Sequence, residues 1–341
     1  MNFKKNEIYT EISKTRNIDN NVERFNITDF EIGERIAKTN FGFISICRRT
    51  KLNKMYFLRV INKGELIKTK YLANPYNEYK LLSSIYHPFI LELKGVNNTD
   101  PYNLFFFGEF FTGANLRLLI KINQNLPIEY IRFFIASIIT VFDYLHKKKI
   151  IYRDLRPENV LINSEGYIKI VDFFLSKTLV KDFTLTTCGN PEYYSPEMVN
   201  QSGYNKCVDF WQLGILLYEM TFGYTPFFDS DPVKLIQKIK KGKVKFPKNA
   251  NKNIKNMIKH LLNIDIYKRM GCTKKGIYEI IQHPFFEGFD WEALLHRSIK
   301  APYIPKTNSN FFNCAYKKLE ELYLENNYIA IPKEKDPFIN W

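Results

Sequence analysis

Apolar and polar positions change their period partway along the chain. Between Phe30 and Glu109 the apolar residues fall in short runs that are β-branched or aromatic: Phe43–Cys47, Met55–Ile61 and Leu104–Phe107. Runs of that length and type predict strands. One helix is expected among them, starting near Pro75, a residue tolerated in a first helical turn, and carrying Glu78, Leu81 and Leu82. From Asn115 onward helical periods prevail, most clearly over 127–146 and 207–222. Residues 1–29 are polar and weakly patterned and read as an N-terminal extension. No internal repeat is visible. A sheet-rich stretch followed by a larger helical one predicts an α+β protein with a small lobe over about 30–109 and a large lobe after it.

Composition narrows the picture. At 341 residues and 45% hydrophobic, the chain can bury one large core or two joined ones. The uncharged apolar run 133–142 falls short of the roughly 18 to 20 residues a membrane span needs. No apolar signal region opens the sequence, and Asn2 does not suit N-myristoylation. The formal charge of +15 would suit a nucleic-acid or membrane-surface partner, but the lysines are spread along the chain. The densest runs, 147–149 and 238–243, read as solvated surface, with an acidic protein partner as the alternative and no nucleic acid expected. Five scattered cysteines without a Cys-x-x-Cys pair predict reduced thiols in the cytoplasm or nucleus. The five histidines are dispersed, so no metal cluster is expected.

Candidate chemistry concentrates in Tyr152-Arg153-Asp154-Leu155-Arg156-Pro157-Glu158-Asn159, with Asp172 thirteen residues further on. One carboxylate to accept a hydroxyl proton, with an amide and a second carboxylate to hold Mg²⁺ on a triphosphate, is what phosphoryl transfer to an alcohol requires. The order and spacing resemble the catalytic loop and metal-binding turn of eukaryotic protein kinases. Tyr before Arg153-Asp154, the run 189–193, Ala301-Pro302-Tyr303-Ile304-Pro305 and the terminal Phe338-Ile339-Asn340-Trp341 resemble the AGC group, and within it the catalytic subunits of cyclic-AMP-dependent protein kinase. The resemblance implies the two-lobed kinase fold, with a kinase domain over 30–286 (large lobe about 110–286) and a C-terminal tail over 287–341.

It also implies roles. Asp154 would be the base, with Arg156 at the catalytic-loop lysine position, and Asn159 and Asp172 would be metal ligands. Glu78 would pair with the residue at the strand-three lysine position, which is Arg59. Nucleotide contacts would come from Ile36, Ala37, Thr39, Gly42, Ile44, Phe57, Arg59, Glu78, Gly108, Glu109, Phe111 and Leu161. Thr186 matches the activation-loop phosphosite, with Arg153 and Lys177 as its cations. Glu158 and Glu219 match the pair that holds an arginine two residues before the target hydroxyl. Thr187, Pro191 and Tyr194 would line the pocket after it, and Asn115 replaces a glutamate that contacts an arginine one position further upstream. Glu197 with Arg269 matches a buried structural ion pair, and Asp209 matches the residue that anchors the catalytic loop. Phe338 and Trp341 are expected to dock in an apolar groove beside the helix carrying Glu78. The implied cofactors are ATP and Mg²⁺. The implied partners are protein substrates with basic residues upstream of Ser or Thr, and the resemblance leaves a cyclic-nucleotide-binding regulatory subunit open.

The departures gather around the nucleotide. The glycine-rich loop reads Ala37-Lys38-Thr39-Asn40-Phe41-Gly42-Phe43-Ile44, the strand-three lysine is Arg59, and the alanine two residues earlier is Phe57. Gly108 stands at the usually bulky gatekeeper position, and Phe174 follows Asp172-Phe173 where the family has glycine. Arg for Lys is not conservative at a phosphate. Two readings stay open: a working kinase in which the Phe57 ring turns into space vacated at Gly108, and a partner-binding pseudokinase in which Phe57 and Arg59 block ATP.

Overall fold

Strand β4 (Lys54–Asn62) sets the core of the first structural unit. Tyr56, Leu58 and Val60 are buried on one face, and Phe57 and Arg59 on the other are half-buried, as a period of two requires. In the computed structural model β4 pairs antiparallel with β3 (Gly42–Arg49) and with β6 (Asn103–Glu109). β2 (Phe30–Thr39), β5 (Leu93–Asn97) and the short β1 (Glu23–Arg24) complete a six-stranded sheet in the order β1-β5-β6-β4-β3-β2, with β1 parallel to β5 and the other pairs antiparallel. The structure describes residues 22–180, 183–306, 316–317, 323 and 330–340.

The three expected strands lie inside β3, β4 and β6. The expected helix is α2 (Asn74–Ser84), preceded by α1 (Lys63–Ile67), whose N-cap Asn62 accepts from the Glu65 N–H at 2.8 Å. Residues 22–29 hold more structure than their weak pattern implies. Phe25 is buried, with its ring 5.0 Å from Phe107 and 5.4 Å from Tyr56, and Ile27 joins the same core. Burying one such ring contributes about 2 kcal/mol, and a single residue leaves no periodic signal.

The chain divides into two compact units. The first comprises Met1–Tyr86, Leu91–Thr112 and Thr307–Trp341, and the second His87–Ile90 and Gly113–Lys306. The second is built on α4 (Ile128–Lys147) and α6 (Cys207–Phe222), which are buried around most of their circumference and so lie at its centre. Around them are α3 (Leu116–Asn123), α5 (Pro196–Val199), α7 (Pro232–Lys241), α8 (Lys252–Leu261), α9 (Ile277–Ile281) and α10 (Trp291–Leu295). On α8, Ile254, Met257, Ile258 and Leu261 face inward at helical spacing behind the Asn251 cap. A three-stranded sheet orders β10 (Ile168–Ile170), β9 (Val160–Asn163) and β7 (Gly113–Asn115), and β8 (Ile150–Ile151) pairs with β11 (Lys177–Thr178). Glu197 and Arg269 form the buried ion pair, with Arg269 Nη1 and Nη2 donating to the two carboxylate oxygens at 2.6 and 2.9 Å.

The cysteines depart from expectation. Cys207 and Cys272 are joined in a disulfide across 65 residues, with Cα atoms 5.7 Å apart, rather than standing as separate thiols. The cause is tertiary: Arg269 Nη1 donates to the Cys207 carbonyl at 3.0 Å and the Cys272 N–H to the Arg269 carbonyl, which brings the two positions together. Cys47 and Cys188 are buried, and burial pushes the Cys47 thiol well up; Cys314 lies outside the described residues. Among the described residues no helix is long and apolar enough to cross a membrane, and no cluster of three or more His, Cys, Asp or Glu could hold a metal.

Candidate functional site

In the second unit the 152–159 loop is held from below by α6. Asp209 is fully buried, and its carboxylate accepts from the Tyr152 N–H at 3.0 Å and the Arg153 N–H at 2.8 Å, with His146 Nε2 at 2.7 Å. One turn along the same helix face, Gln212 donates to the Arg153 carbonyl at 2.9 Å and accepts from the Leu155 N–H at 3.1 Å. These four bonds hold Arg153 at φ 70°, a left-handed conformation uncommon outside glycine. Pro157 then opens a single 3₁₀ turn, Pro157–Asn159, from which β9 departs with Leu161 paired to Asn115 and Lys169.

The loop brings Asp154 and Asn159 into contact. Asn159 Nδ2 donates to the Asp154 carbonyl at 2.9 Å and to its Oδ2 at 2.8 Å, and Arg156 Nε lies 3.8 Å from Oδ2. Burial raises the Asp154 carboxyl to about 7, the nearby Asp172 charge adds to the rise, and Arg156 and Asn159 oppose it. Asp172 also sits in the left-handed region, at φ 59°, and its Oδ1 accepts from the Phe174 N–H at 3.4 Å. Tyr152 Oη donates to the Val171 carbonyl at 2.5 Å, and the Val171 N–H to the Asn159 carbonyl, so the turn carrying Asp172 is tied to the loop. The excess negative charge of Asp154 and Asp172 beside an amide fits a hard divalent cation, which takes one or two protein oxygens with phosphates and waters completing its shell.

Thr186 is exposed, and its carbonyl accepts from Tyr204 Oη. Arg153 Nη1 donates to the same hydroxyl oxygen at 3.1 Å and Arg153 Nε to the Leu175 carbonyl at 2.6 Å, whereas Lys177 Nζ donates to Thr184 Oγ1 at 3.0 Å. Lys177 thus reaches the segment at Thr184, and Tyr204, which the sequence did not single out, links Arg153 to the Thr186 carbonyl. Tyr194 Oη donates to the Gly189 carbonyl at 3.1 Å, Thr187 is half-buried and Pro191 exposed.

Glu158 and Glu219 converge, but on a residue of the chain itself. Arg117, on α3, donates from Nε to Glu158 Oε1 at 2.7 Å and from Nη1 to Glu219 Oε1, while Tyr193 Oη donates to Glu219 Oε2. Burial pushes Glu158 up, but the bond and charge of Arg117 outweigh it and hold the carboxyl below its ordinary range. Glu219 is more deeply buried, and desolvation keeps it raised despite Tyr193 and Arg117. Arg117 and Tyr193 had no local signal, since their partners lie far off in sequence.

In the first unit, Arg59 Nη1 donates to both Glu78 oxygens, at 2.8 and 3.0 Å, and Glu78 is buried. Of the two readings left open, the one in which the Phe57 ring turns into the space at Gly108 is not the arrangement seen, although the two residues are paired across β4 and β6. A Cβ built there would meet Leu91 Cδ2 at 2.9 Å, and the Phe57 ring instead lies 5.6 Å from that of Phe111. Leu91 reaches the position from the segment before β5. Glu109 is turned onto Glu92, accepting from its backbone N–H through Oε1 at 3.1 Å. Ala37, Thr39 and Ile44 lie on the β2–β3 hairpin, paired up to Thr39 opposite Gly42, and Ile36 beside them is exposed. Gly42 cannot carry a side chain, because a Cβ would meet the Val60 carbonyl oxygen at 2.1 Å.

The tail enters the first unit through a polar anchor rather than an apolar groove alone. Phe338 is buried, and its carbonyl accepts from Asn98 Nδ2 at 2.7 Å. Buried Lys63 donates to Asp336 Oδ2 at 2.5 Å and lies 5.8 Å from the centre of the Phe338 ring. Trp341 lies outside the described residues.

Comparison with known proteins agrees with this geometry. The protein kinase domain family matches residues 30–286. A cAMP-dependent protein kinase catalytic subunit of Arthrobotrys oligospora is 36% identical over 283 residues, covering 83% of this chain and 54% of that protein. A cAMP-dependent protein kinase type 3 of Saccharomyces cerevisiae is 36% identical over 83% of this chain and 70% of its own length. A human cAMP-dependent protein kinase catalytic subunit is 34% identical over 89% of this chain and 83% of its own. The chain thus spans about half the length of the first relative and most of the human one. A loop hung on a buried helix carboxylate, an Asp-Asn contact beside a second aspartate, and a family match over most of the length lead to one assignment: the chain belongs to the protein kinase family.

Proposed function

We propose that this protein is a serine/threonine protein kinase of the cyclic-AMP-dependent type. The observation that carries the reading is the Asp154–Asn159 contact, with Asp154 raised to about 7. A general base works best with a pKa near the operating pH. In the reaction the substrate hydroxyl oxygen forms a bond to the γ-phosphorus of ATP, the bond from that phosphorus to the bridging oxygen breaks, ADP leaves, and the hydroxyl proton passes to Asp154. Asn159 and Asp172 would hold Mg²⁺, which when bound neutralises charge on the transferring phosphate. Arg59 keeps Glu78 engaged, and Arg156, 3.8 Å from Asp154, would meet the phosphate. Thr186 is the activation-loop phosphosite of this reading, with Arg153 and Lys177 nearby.

The test is phosphate transfer from ATP with Mg²⁺ to Ser/Thr peptides by the wild type and by Asp154→Asn. Loss of transfer with ATP affinity unchanged is expected, since a base acts mainly in the transition state. Equal rates in the two proteins would refute it. One observation favours a partner-binding pseudokinase instead: Phe57 stands where the family has alanine, with its ring 5.6 Å from that of Phe111. Mg²⁺-ATP that fails to raise thermal stability at any concentration would decide for that reading.

A further inference from the structure

The Glu158–Glu219 pair presents four carboxylate oxygens. Tyr193 Oη occupies one and Arg117 two. The fourth, Glu158 Oε2, is buried and has no hydrogen-bond partner. A second guanidinium, which binds carboxylates through a two-pronged fork, finds only that one oxygen not already accepting a bond. The charges point the same way: two carboxylates and one guanidinium sum to a single negative charge, half of what the pair would offer if vacant. Arg117 is itself well placed to hold the site. It stands in the first turn of α3, whose N-cap Asn115 accepts from the Leu118 N–H at 2.8 Å, and Leu116, before it, is fully buried. The backbone under Arg117 is therefore fixed, while its side chain keeps 34% exposure and can swing out by rotamer change alone. Tethered this way, the guanidinium competes with an effective concentration on the order of millimolar.

We propose that Arg117 is an internal occupant of the arginine site formed by Glu158 and Glu219, so that the protein selects substrates without relying on an arginine two residues before the acceptor hydroxyl. Placing the site relative to the acceptor rests on the kinase reading above; the competition between guanidinium groups rests only on the contacts described here. A substrate arginine has to displace Arg117, and the free energy of its own bonds is offset by those that Arg117 gives up. Peptides lacking the arginine leave Arg117 in place and lose nothing.

The experiment measures binding, so that it does not depend on transfer. Two fluorescent peptides that differ only in Arg or Ala two residues before the serine are titrated by anisotropy against the wild type, Arg117→Ala and Arg117→Gln. The wild type is expected to separate the two peptides by less than about threefold, and both variants to bind the Arg peptide about tenfold more tightly, with the Ala peptide unchanged. Methylguanidinium should bind both variants, raise their melting temperature and cancel the gain; this arm also reads the site if one variant folds poorly. A wild type that already prefers the Arg peptide by more than about tenfold, or folded variants that gain no discrimination, would overturn the proposal. So would the absence of peptide binding by all three proteins. Transfer to the same peptides is scored separately, and its absence, with the binding pattern intact, would count against the kinase reading alone.

Discussion

The polar anchor of the tail gives a graded prediction. Lys63 Nζ has three protons and three acceptors: Asp336 Oδ2 at 2.5 Å, the Asn98 carbonyl at 2.7 Å and the Asp100 carbonyl at 2.6 Å. The Lys63 and Asp336 side chains are 0% and 2% exposed, so water replaces neither partner. Burial lowers the lysine pKa, and Asp336 resists that shift. In Asp336→Asn the ammonium keeps its two carbonyls, but the single amide oxygen has to serve either the ammonium or the Phe338 N–H that Asp336 Oδ1 holds at 2.9 Å, so the loss is charge assistance and one bond, about 2 kcal/mol. Lys63→Met strips the buried carboxylate of its cation and leaves two carbonyls unpaired, which costs about 4 kcal/mol. The combination Lys63→Met with Asp336→Leu removes both charges, and it should cost less than the sum of the two single losses because the pair is coupled. Hydrogen exchange of the 330–340 segment is the direct assay, since the Phe338 N–H donates to Asp336 Oδ1 at 2.9 Å and is protected only while the tail is docked. Exchange there should quicken about thirtyfold in Asp336→Asn and about a thousandfold in Lys63→Met. Equal effects from the two variants, or a larger effect from Asp336→Asn, would refute the assignment of Lys63 as the centre of the anchor.

Two further outcomes are expected. Buried His87 is depressed to about 3 by desolvation, with the Lys169 charge adding to it, and its Nδ1 accepts from the Phe89 N–H at 3.1 Å. Its folded pKa lies below the unfolded value, so the contribution is present above pH ~6.5 and is lost as pH falls toward 3, by roughly 2 to 3 kcal/mol at pH ~4.5; urea titrations should show His87→Asn, which keeps a short-range acceptor, with a shallower acid slope. Asp209→Asn should destabilise by at least about 3 kcal/mol and release the loop carrying Asp154, because its carboxylate accepts two buried backbone N–H groups and faces His146; unchanged urea stability and an unchanged exchange rate at Arg153 would count against the anchoring role.

What the sequence made legible follows from how far apart the participants lie. The strands and the helices α4 and α6 are written in periods of two and of 3.6, and each is read within a window no longer than the element. The Asp154 loop was legible for a similar reason: its residues are contiguous, and their spacing carries the chemistry. The parts that were missed are pairings between distant positions. Arg117 and Glu219 are 102 residues apart, Lys63 and Asp336 273, and Cys207 and Cys272 65. No periodicity encodes such pairs, since each member alone reads as an ordinary surface charge or a stray thiol. Gly108 shows the same limit from the other side: a missing side chain looked like open space, yet Leu91, from a different segment, borders it, with Cδ2 2.9 Å from where a Cβ would stand.

Backbone strain bears independently on whether the loop retains a use. Arg153 and Asp172 are among seven described non-glycine residues at positive φ, and they flank Asp154 in space through the Val171–Asn159 bond. A non-glycine residue in the left-handed region costs on the order of 1 kcal/mol or more. The chain recovers that cost at Arg153 through Asp209 and Gln212, two buried polar side chains that themselves need partners. If binding a partner were the only task, glycine at either position would relieve the strain with no buried network required. Strain retained at Arg153 and Asp172, together with a polar scaffold that makes four bonds to the loop backbone, is expected where side chains must be aimed at a reacting atom. This favours the catalytic reading over the partner-binding one: Asp172→Gly should leave stability within about 1 kcal/mol of the wild type while transfer collapses, whereas Arg153→Gly, which also removes the buried bonds to the Leu175 carbonyl and Tyr204 Oη, should lose transfer and cost about 2 to 4 kcal/mol. Transfer that survives both changes would show that the strained backbone serves the fold alone.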